Sequence, residues 1–232
     1  MDINLEDLFS MKIIARIHTD FPTKFGVPRQ SGINNALKAT IVFEPEYRNP
    51  DSLRGLEEFS HIWLIWEFSE AIRDTWFPTV RPPRLGGSTR VGVFATRSPF
   101  RPNPIGLSNV ILESVELHTE VGPVLHVLGA DLMDQTPIYD IKPYLPYTDC
   151  HPDATGGFVD RIEDSQLEVD FPEQLLNLIP DELHEALLCV LANDPRPSYH
   201  KDSDRIYGFE FGGFEIKFKV CDNRLTVCQV GR

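Results

Sequence analysis

The chain has 232 residues, 41% hydrophobic and 25% charged, with a formal net charge of −13. These are globular values, sufficient for one large domain or a medium domain plus a small one, and they exclude a disordered or fibrous chain. Four cysteines without C-x-x-C spacing, an acidic start where an export signal would be basic, and apolar runs far too short for a bilayer predict a cytoplasmic protein with reduced thiols and no membrane span.

The first two-thirds reads as short strands rich in Ile, Val, Leu, Phe and Trp, at residues 12–18, 38–43, 61–68, 90–96, 108–117 and 124–130. Turn chemistry separates them: Phe21-Pro22-Thr23, Ser31-Gly32, Asn49-Pro50 and Gly122-Pro123. Residues 51–59 predict one or two helical turns. An antiparallel barrel accommodates so many short strands without leaving long edges. Residues 139–164, dense in Pro, Gly and acids, predict a long irregular connection.

The last third differs. Residues 172–192 have helical spacing, and Pro180 followed by Asp181 and Glu182 is a sound helix start. A meander follows over 206–211, 214–220 and 225–230, with turns at Gly212-Gly213 and Asp222-Asn223. The expected fold class is therefore mainly β: an antiparallel β-barrel domain over residues 1–160 and a small α+β domain over 161–232.

One stretch stands apart. Residues 81–107 carry Arg81, Arg84, Arg90, Arg97 and Arg101, and no carboxylate occurs between Asp74 and Glu113. In an acidic protein such a run is where an anion binds. Five prolines stiffen its flanks around the strand expected at 90–96, so the pattern is two arginine-bearing loops hung from one strand. The acidity lies elsewhere: residues 149–185 hold eleven carboxylates against Arg161, a solvated face whose removal leaves the chain nearly neutral. The low pI thus leaves the arginine face open to nucleic acid.

Neither G-x-G-x-x-G nor G-x-x-x-x-G-K-[ST] occurs, and the seven histidines have no zincin-like spacing, so no metal site is expected. Asp131, Asp134 and Asp140 follow the strand ending at Ala130, where a barrel exposes its loops. Asp134-Gln-Thr-Pro is turn chemistry in itself; Asp131 and Asp140 are candidates for ligand contact.

The run Gly92-Val-Phe-Ala-Thr-Arg97-Ser-Pro-Phe-Arg101-Pro-Asn-Pro-Ile-Gly-Leu107 closely resembles the hallmark of the TrmO family of tRNA methyltransferases. Further words occur in family order: VPRQ at 27–30, RGLEEFSHIWL at 54–64, PTVRPPRLGG at 78–87, DQTPIYDIKPYLPY at 134–147 and DPRPSY at 194–199. The resemblance spans about the whole chain. It implies a β-barrel enzyme that uses S-adenosylmethionine to methylate N6 of an adenosine already bearing a threonylcarbamoyl group, 3′ of the tRNA anticodon. It also implies a homodimer with the cofactor near the subunit interface. The family's cofactor site carries over to Pro28, Arg29, Gln30, Arg97 and Leu107 and to Leu128, Gly129, Ala130 and Asp131, with Arg84, Arg101 and Asn103 on the substrate side. Two departures stand out: Ser69-Glu70 follow Phe68 where many members have a Phe-His pair, and Gln135 replaces a glycine.

A sulfonium methyl transfer is an in-line displacement in which positioning supplies most of the acceleration. Asp131 and Asp140 are the candidates for accepting the departing proton, and the guanidiniums of Arg97 and Arg101 suit carboxylates or phosphates. The competing readings are a non-catalytic RNA-binding barrel with Trp63, Trp66 or Trp76 stacking on bases, and, more weakly, a metal hydrolase built on Asp131, Asp134 and Asp140.

Overall fold

The computed structural model describes residues 10–161, 166–196 and 202–232. Six strands form a closed antiparallel barrel: β1 (Ala15–His18), β2 (Lys38–Phe43), β3 (His61–Glu67), β6 (Ile105–Thr119), β7 (Gly122–Leu128) and β8 (Pro137–Pro143). Between β3 and β6 a separate two-stranded ribbon pairs β4 (Thr79–Val80) with β5 (Val91–Gly92). Around the barrel the order is β1-β2-β7-β6-β3-β8, and β8 pairs with β1 to close it. Alternation drives this arrangement. On β3 the side chains of Ile62, Leu64 and Trp66 point inward and those between are partly exposed, and β2 turns Ala39, Ile41 and Phe43 inward. These residues, with Ile17, Val110, Leu125, Val127 and Ile138, make the barrel core.

Two expectations need correction. The strand expected at 90–96 is only β5, followed by a 3₁₀ turn at Val93–Ala95. Val93 alone is buried there, while Phe94 is 73% exposed, so alternating apolar residues mimicked a strand with no core to face. The arginine loops therefore hang from a two-residue ribbon outside the barrel. Conversely, the irregular connection expected from residue 139 begins with the barrel-closing β8. Pro137 and Pro143 bracket it and Asp140 and Lys142 interrupt its apolar pattern, which hid it. Pro137 occupies the first strand position, where its missing donor is tolerated. Residues 51–59 do form two 3₁₀ turns, Pro50–Leu53 and Leu56–Glu58.

After a short helix α1 (Pro146–Asp149), the chain builds a four-stranded sheet from β9 (Glu168–Asp170), β10 (Tyr207–Phe211), β11 (Phe214–Cys221) and β12 (Arg224–Gly231), in the order β10-β11-β12-β9. The meander is as expected from the sequence; β9, added parallel to β12, was not. The helical region is two helices, α2 (Glu173–Leu176) and α3 (Asp181–Ala192), broken at Pro180. From α3, Ala186, Leu187, Val190 and Leu191 pack on Phe209, Phe211, Ile216 and Phe218 of the sheet.

The segment joining β1 to β2 belongs to this second core. Phe21 and Leu37 are buried in it, and Phe21 meets Phe211 edge-on at 5.2 Å between ring centroids. Gly26 has φ +96° and lies where a Cβ would sit 2.5 Å from the Phe209 ring, so only glycine fits. The VPRQ word is thus strung between two hydrophobic cores.

Candidate functional site

At one end of the barrel β1, β3 and β7 finish and β2, β6 and β8 begin. Three segments meet there: the loop at 27–35, the arginine loop at 93–104, and the turn after β7. Hydrogen bonds tie the first of these to the third and to β6. The Gly32 N–H donates to the Gly129 carbonyl at 3.0 Å, the Gly129 N–H to Leu37 O at 2.9 Å, and the Asn109 N–H to Ser31 Oγ at 3.1 Å. Gly129, at φ +78°, ends β7 and turns the chain so that Ala130 stays buried while Asp131 reaches the cluster.

The side chains converge on Asp131. Ser108 Oγ–H donates to Asp131 Oδ1, and the Trp66 indole Nε1–H donates to Ser108 Oγ at 2.9 Å. Arg97 donates to the side-chain oxygen of Gln30 and faces Asp131 electrostatically. Burial pushes the Asp131 carboxyl above the usual carboxylate range; the Ser108 hydroxyl, the N–H groups of Asp131 and Ser31, and the charge of Arg97 oppose that rise. A half-buried anion therefore sits among donors beside one cation.

The expected site residues divide clearly. Gln30, Arg97 and Asp131 come together, with Pro28 in the same loop and Leu128, Gly129 and Ala130 forming the wall that carries Asp131. Arg29 points away, donating to the Asp194 carbonyl at 3.3 Å. Leu107 is 55% exposed on the outward row of β6, aligned with Ile65 and Asp140 across three strands. Asp140 is engaged in that outer row by Lys142 at 2.7 Å and by the Ile141 N–H at 2.9 Å, away from Ser108, which faces inward. Arg101 braces its own loop through Thr96 O at 3.2 Å, and Asn103 is exposed, its carbonyl accepting from Ile105 N–H. Arg84 lies in the turn Pro83–Leu85, its side chain outside the described residues, as are residues 197–199 of DPRPSY. Asp134 accepts from the Thr19 N–H just after β1, at 3.2 Å, a long-range bond in place of the local turn cap expected from Asp134-Gln-Thr-Pro.

Sequence reasoning missed Ser31, Ser108 and Asn109, and it offered Trp66 only as a residue that stacks on bases. The signal for Ser108 was present: it is the hydroxyl in the inward series Gly106, Ser108, Val110, Leu112. Among the described residues the buried Asn109 Nδ2 has no hydrogen-bond partner, a donor that a ligand would satisfy. Among the described residues no cluster of three or more His, Cys, Asp or Glu side chains is arranged to hold a metal ion. The donor set suits S-adenosylmethionine: a carboxylate for its cationic groups, a guanidinium for its carboxylate, and amide and hydroxyl donors and acceptors for its polar edges.

Comparison with known proteins places this geometry. Residues 16–150 match the tRNA-methyltransferase O N-terminal domain model and residues 164–232 the TrmO C-terminal domain model. The tRNA (adenine(37)-N6)-methyltransferase of Escherichia coli is 40% identical over 222 residues, covering 92% of this chain and 94% of that one. The human protein of the same name is 40% identical over 134 residues, which is 57% of this chain and 29% of that one. A putative S-adenosylmethionine-dependent methyltransferase of Pseudomonas aeruginosa is 38% identical over 215 residues, 89% of this chain and 90% of that one. The crystal structure of TrmO from Pseudomonas aeruginosa superposes with a TM-score of 0.76 at 32% identity, covering 97% of this chain and all of that one. The chain belongs to the tRNA-methyltransferase O family.

Proposed function

We propose that the protein methylates N6 of the threonylcarbamoyladenosine beside the tRNA anticodon, with S-adenosylmethionine as donor. The observation that carries this reading is the convergence of Gln30, Arg97 and Asp131 at one barrel end, in a chain that covers 94% of the tRNA (adenine(37)-N6)-methyltransferase of Escherichia coli. S-adenosylmethionine supplies an electrophilic methyl group on a sulfonium centre. Arg97, oriented by Gln30, binds its carboxylate, and the unpartnered Asn109 amide and Ser31 contribute polar contacts. The acceptor nitrogen carries a proton that must leave as the new N–C bond forms. Asp131 accepts it, because its carboxylate is the one inside the cluster and its raised pKa suits it to hold a proton. Asp140, already neutralised by Lys142, does not.

Arg81, Arg90 and Arg101 bind the tRNA phosphates in this reading. A depression of about 360 Å³ lined by Arg81, Pro83, Gly86 and Gly87 lies on this loop. A second copy of the chain covers the apolar surface beside it: Ile72, Trp76, Phe77, Phe94 and Leu107 are between 49% and 73% exposed and adjoin the Arg97 loop. Among the described residues no helix is long and apolar enough to cross a membrane. The proposed tRNA substrate supports a cytoplasmic location.

The deciding experiment offers labelled S-adenosylmethionine and tRNA from cells unable to make the threonylcarbamoyl modification. That tRNA should bind with the same steep salt dependence as modified tRNA yet accept no methyl group. Incorporation at the rate seen with modified tRNA refutes the substrate assignment and leaves a general adenine-N6 methyltransferase. A chain that binds tRNA but shows no calorimetric response to S-adenosylmethionine is the non-catalytic RNA-binding barrel instead.

A further inference from the structure

The cluster has a buried half. Trp66 and Ser108 are only 6% and 1% exposed, so neither side chain has bulk water as an alternative partner. An indole N–H can only donate, and it occupies a lone pair of Ser108 Oγ at 2.9 Å. The serine hydroxyl has one proton, and it goes to Asp131 Oδ1. The chain of bonds therefore has one direction, from Trp66 through Ser108 to Asp131. The neighbouring backbone is built around it: Gly106, opposite Trp66 in the strand pairing, leaves space that the ring fills, and a Cβ there would sit 2.2 Å from Trp66 Cε2.

We infer that Trp66 and Ser108 are positioning residues that hold the Asp131 carboxylate ionised and in a single orientation, with Oδ1 committed to Ser108. The groups facing Asp131 from the elements around it are few. The arginine loop contributes Arg97, the 27–35 loop the Ser31 N–H, and β6 the Ser108 hydroxyl. Asp134, on Asp131's own segment, is turned to Thr19 N–H and His18. Of the donors, Ser108 is the one that can be removed without altering a charge or the backbone. Only the consequence for ligand binding rests on the proposed function; the relay is a property of the chain alone.

The test follows the three tryptophan indole N–H resonances of the full ¹⁵N-labelled chain across pH, assigned with Trp→Phe variants. Trp63 donates to Asp149 Oδ2 at 2.8 Å, and that carboxyl is held below its ordinary range by the Leu145 N–H and by Trp63 itself. Its resonance serves as an internal control for the fold. The Trp66 resonance should titrate at higher pH, with Asp131. Both Asp131→Asn and Ser108→Ala should abolish that titration and leave the Trp63 titration in place. A flat Trp66 resonance in the wild type, or an unchanged one in Ser108→Ala, overturns the relay. In a parallel measurement at neutral pH, S-adenosylmethionine should bind Ser108→Ala at least fivefold more weakly than wild type, and Ser108→Thr, which keeps the hydroxyl, should recover most of the loss. Equal affinity in Ser108→Ala overturns the positioning role. Absence of binding by the wild type overturns the proposed function instead, and the indole titration still decides the relay.

Discussion

Gly106→Ala tests the site and the barrel together. The added methyl would lie 2.2 Å from Trp66 Cε2 and 2.5 Å from Cζ2, whereas carbon atoms pack at about 3.5–4.0 Å, so the ring must retreat by more than 1 Å. Overpacking of this kind costs about 1–3 kcal/mol. A shift of that size also breaks the 2.9 Å bond from the indole to Ser108, and a buried donor left without a partner costs roughly 1–3 kcal/mol more. A loss of about 3 kcal/mol is expected, which for a chain of this length lowers Tm by roughly 6–12 °C. Urea unfolding of wild type, Gly106→Ala, Trp66→Leu and the double variant gives the coupling. Removing the indole makes room for the methyl, so the double variant should be less destabilised than the sum of the singles by about 1 kcal/mol or more. If Gly106→Ala loses under about 0.5 kcal/mol, or the two changes are additive, the steric account of Gly106 fails.

Three further outcomes follow from the same geometry. Arg97→Ala removes the cation beside Asp131 and should weaken S-adenosylmethionine binding about ten- to a hundredfold by calorimetry, equivalent to roughly 1.5–3 kcal/mol; unchanged affinity takes Arg97 out of the site. Asp131→Asn should stabilise the protein at neutral pH while impairing activity. A carboxyl whose folded pKa is raised above its unfolded value costs stability as pH rises through that window, so the gain must be present at pH 7 and vanish below the unfolded pKa near 3.8; a pH-independent difference in Tm contradicts this. Asn34→Ala removes a buried amide that donates to Ala186 O at 2.8 Å and accepts from Ala36 N–H. It should cost about 1–3 kcal/mol and raise the KM for cofactor, because it loosens the loop that carries Gln30; an unchanged KM would separate that loop from the cofactor.

What could be read in advance follows the physics of each element. Strands β2 and β3 alternate cleanly because one face meets the barrel core and the other is partly exposed, and β10 to β12 are punctuated by Gly212-Gly213 and Asp222-Asn223. Strand β8 resisted because its last residues carry Asp140 and Lys142 on a face that pairs outward, so its place is decided by closure of the barrel between β1 and β3 and not by local pattern. The opposite error at residues 90–96 has the same root. Alternation specifies a strand only where a core surface exists, and Phe94, 73% exposed, meets only the exposed Trp76 ring, at 6.1 Å, among the described ring contacts.

The site was legible to the extent that its members are charged or lie in unusual words. Arg97, Gln30 and Asp131 stood out, and they do meet. Ser108 did not, because on sequence an inward serine is an imperfection, and Trp66 stood out only as an indole that could stack on bases, not as a donor to the site. Their meaning is a matter of geometry. A hydroxyl 1% exposed in an apolar barrel is costly unless both its proton and a lone pair are used, and here the indole below and the carboxylate above use them. The same argument reaches the second core. The loop bearing Gln30 is anchored by Phe21, Gly26 and Asn34 against β10 and α3, so the C-terminal sheet and helix act on the barrel site by fixing one of its three walls. A barrel alone would leave that wall as the nineteen residues between His18 and Lys38 in an unsupported loop, and unsupported loops of that length do not hold a side chain to the tolerance a cofactor contact requires.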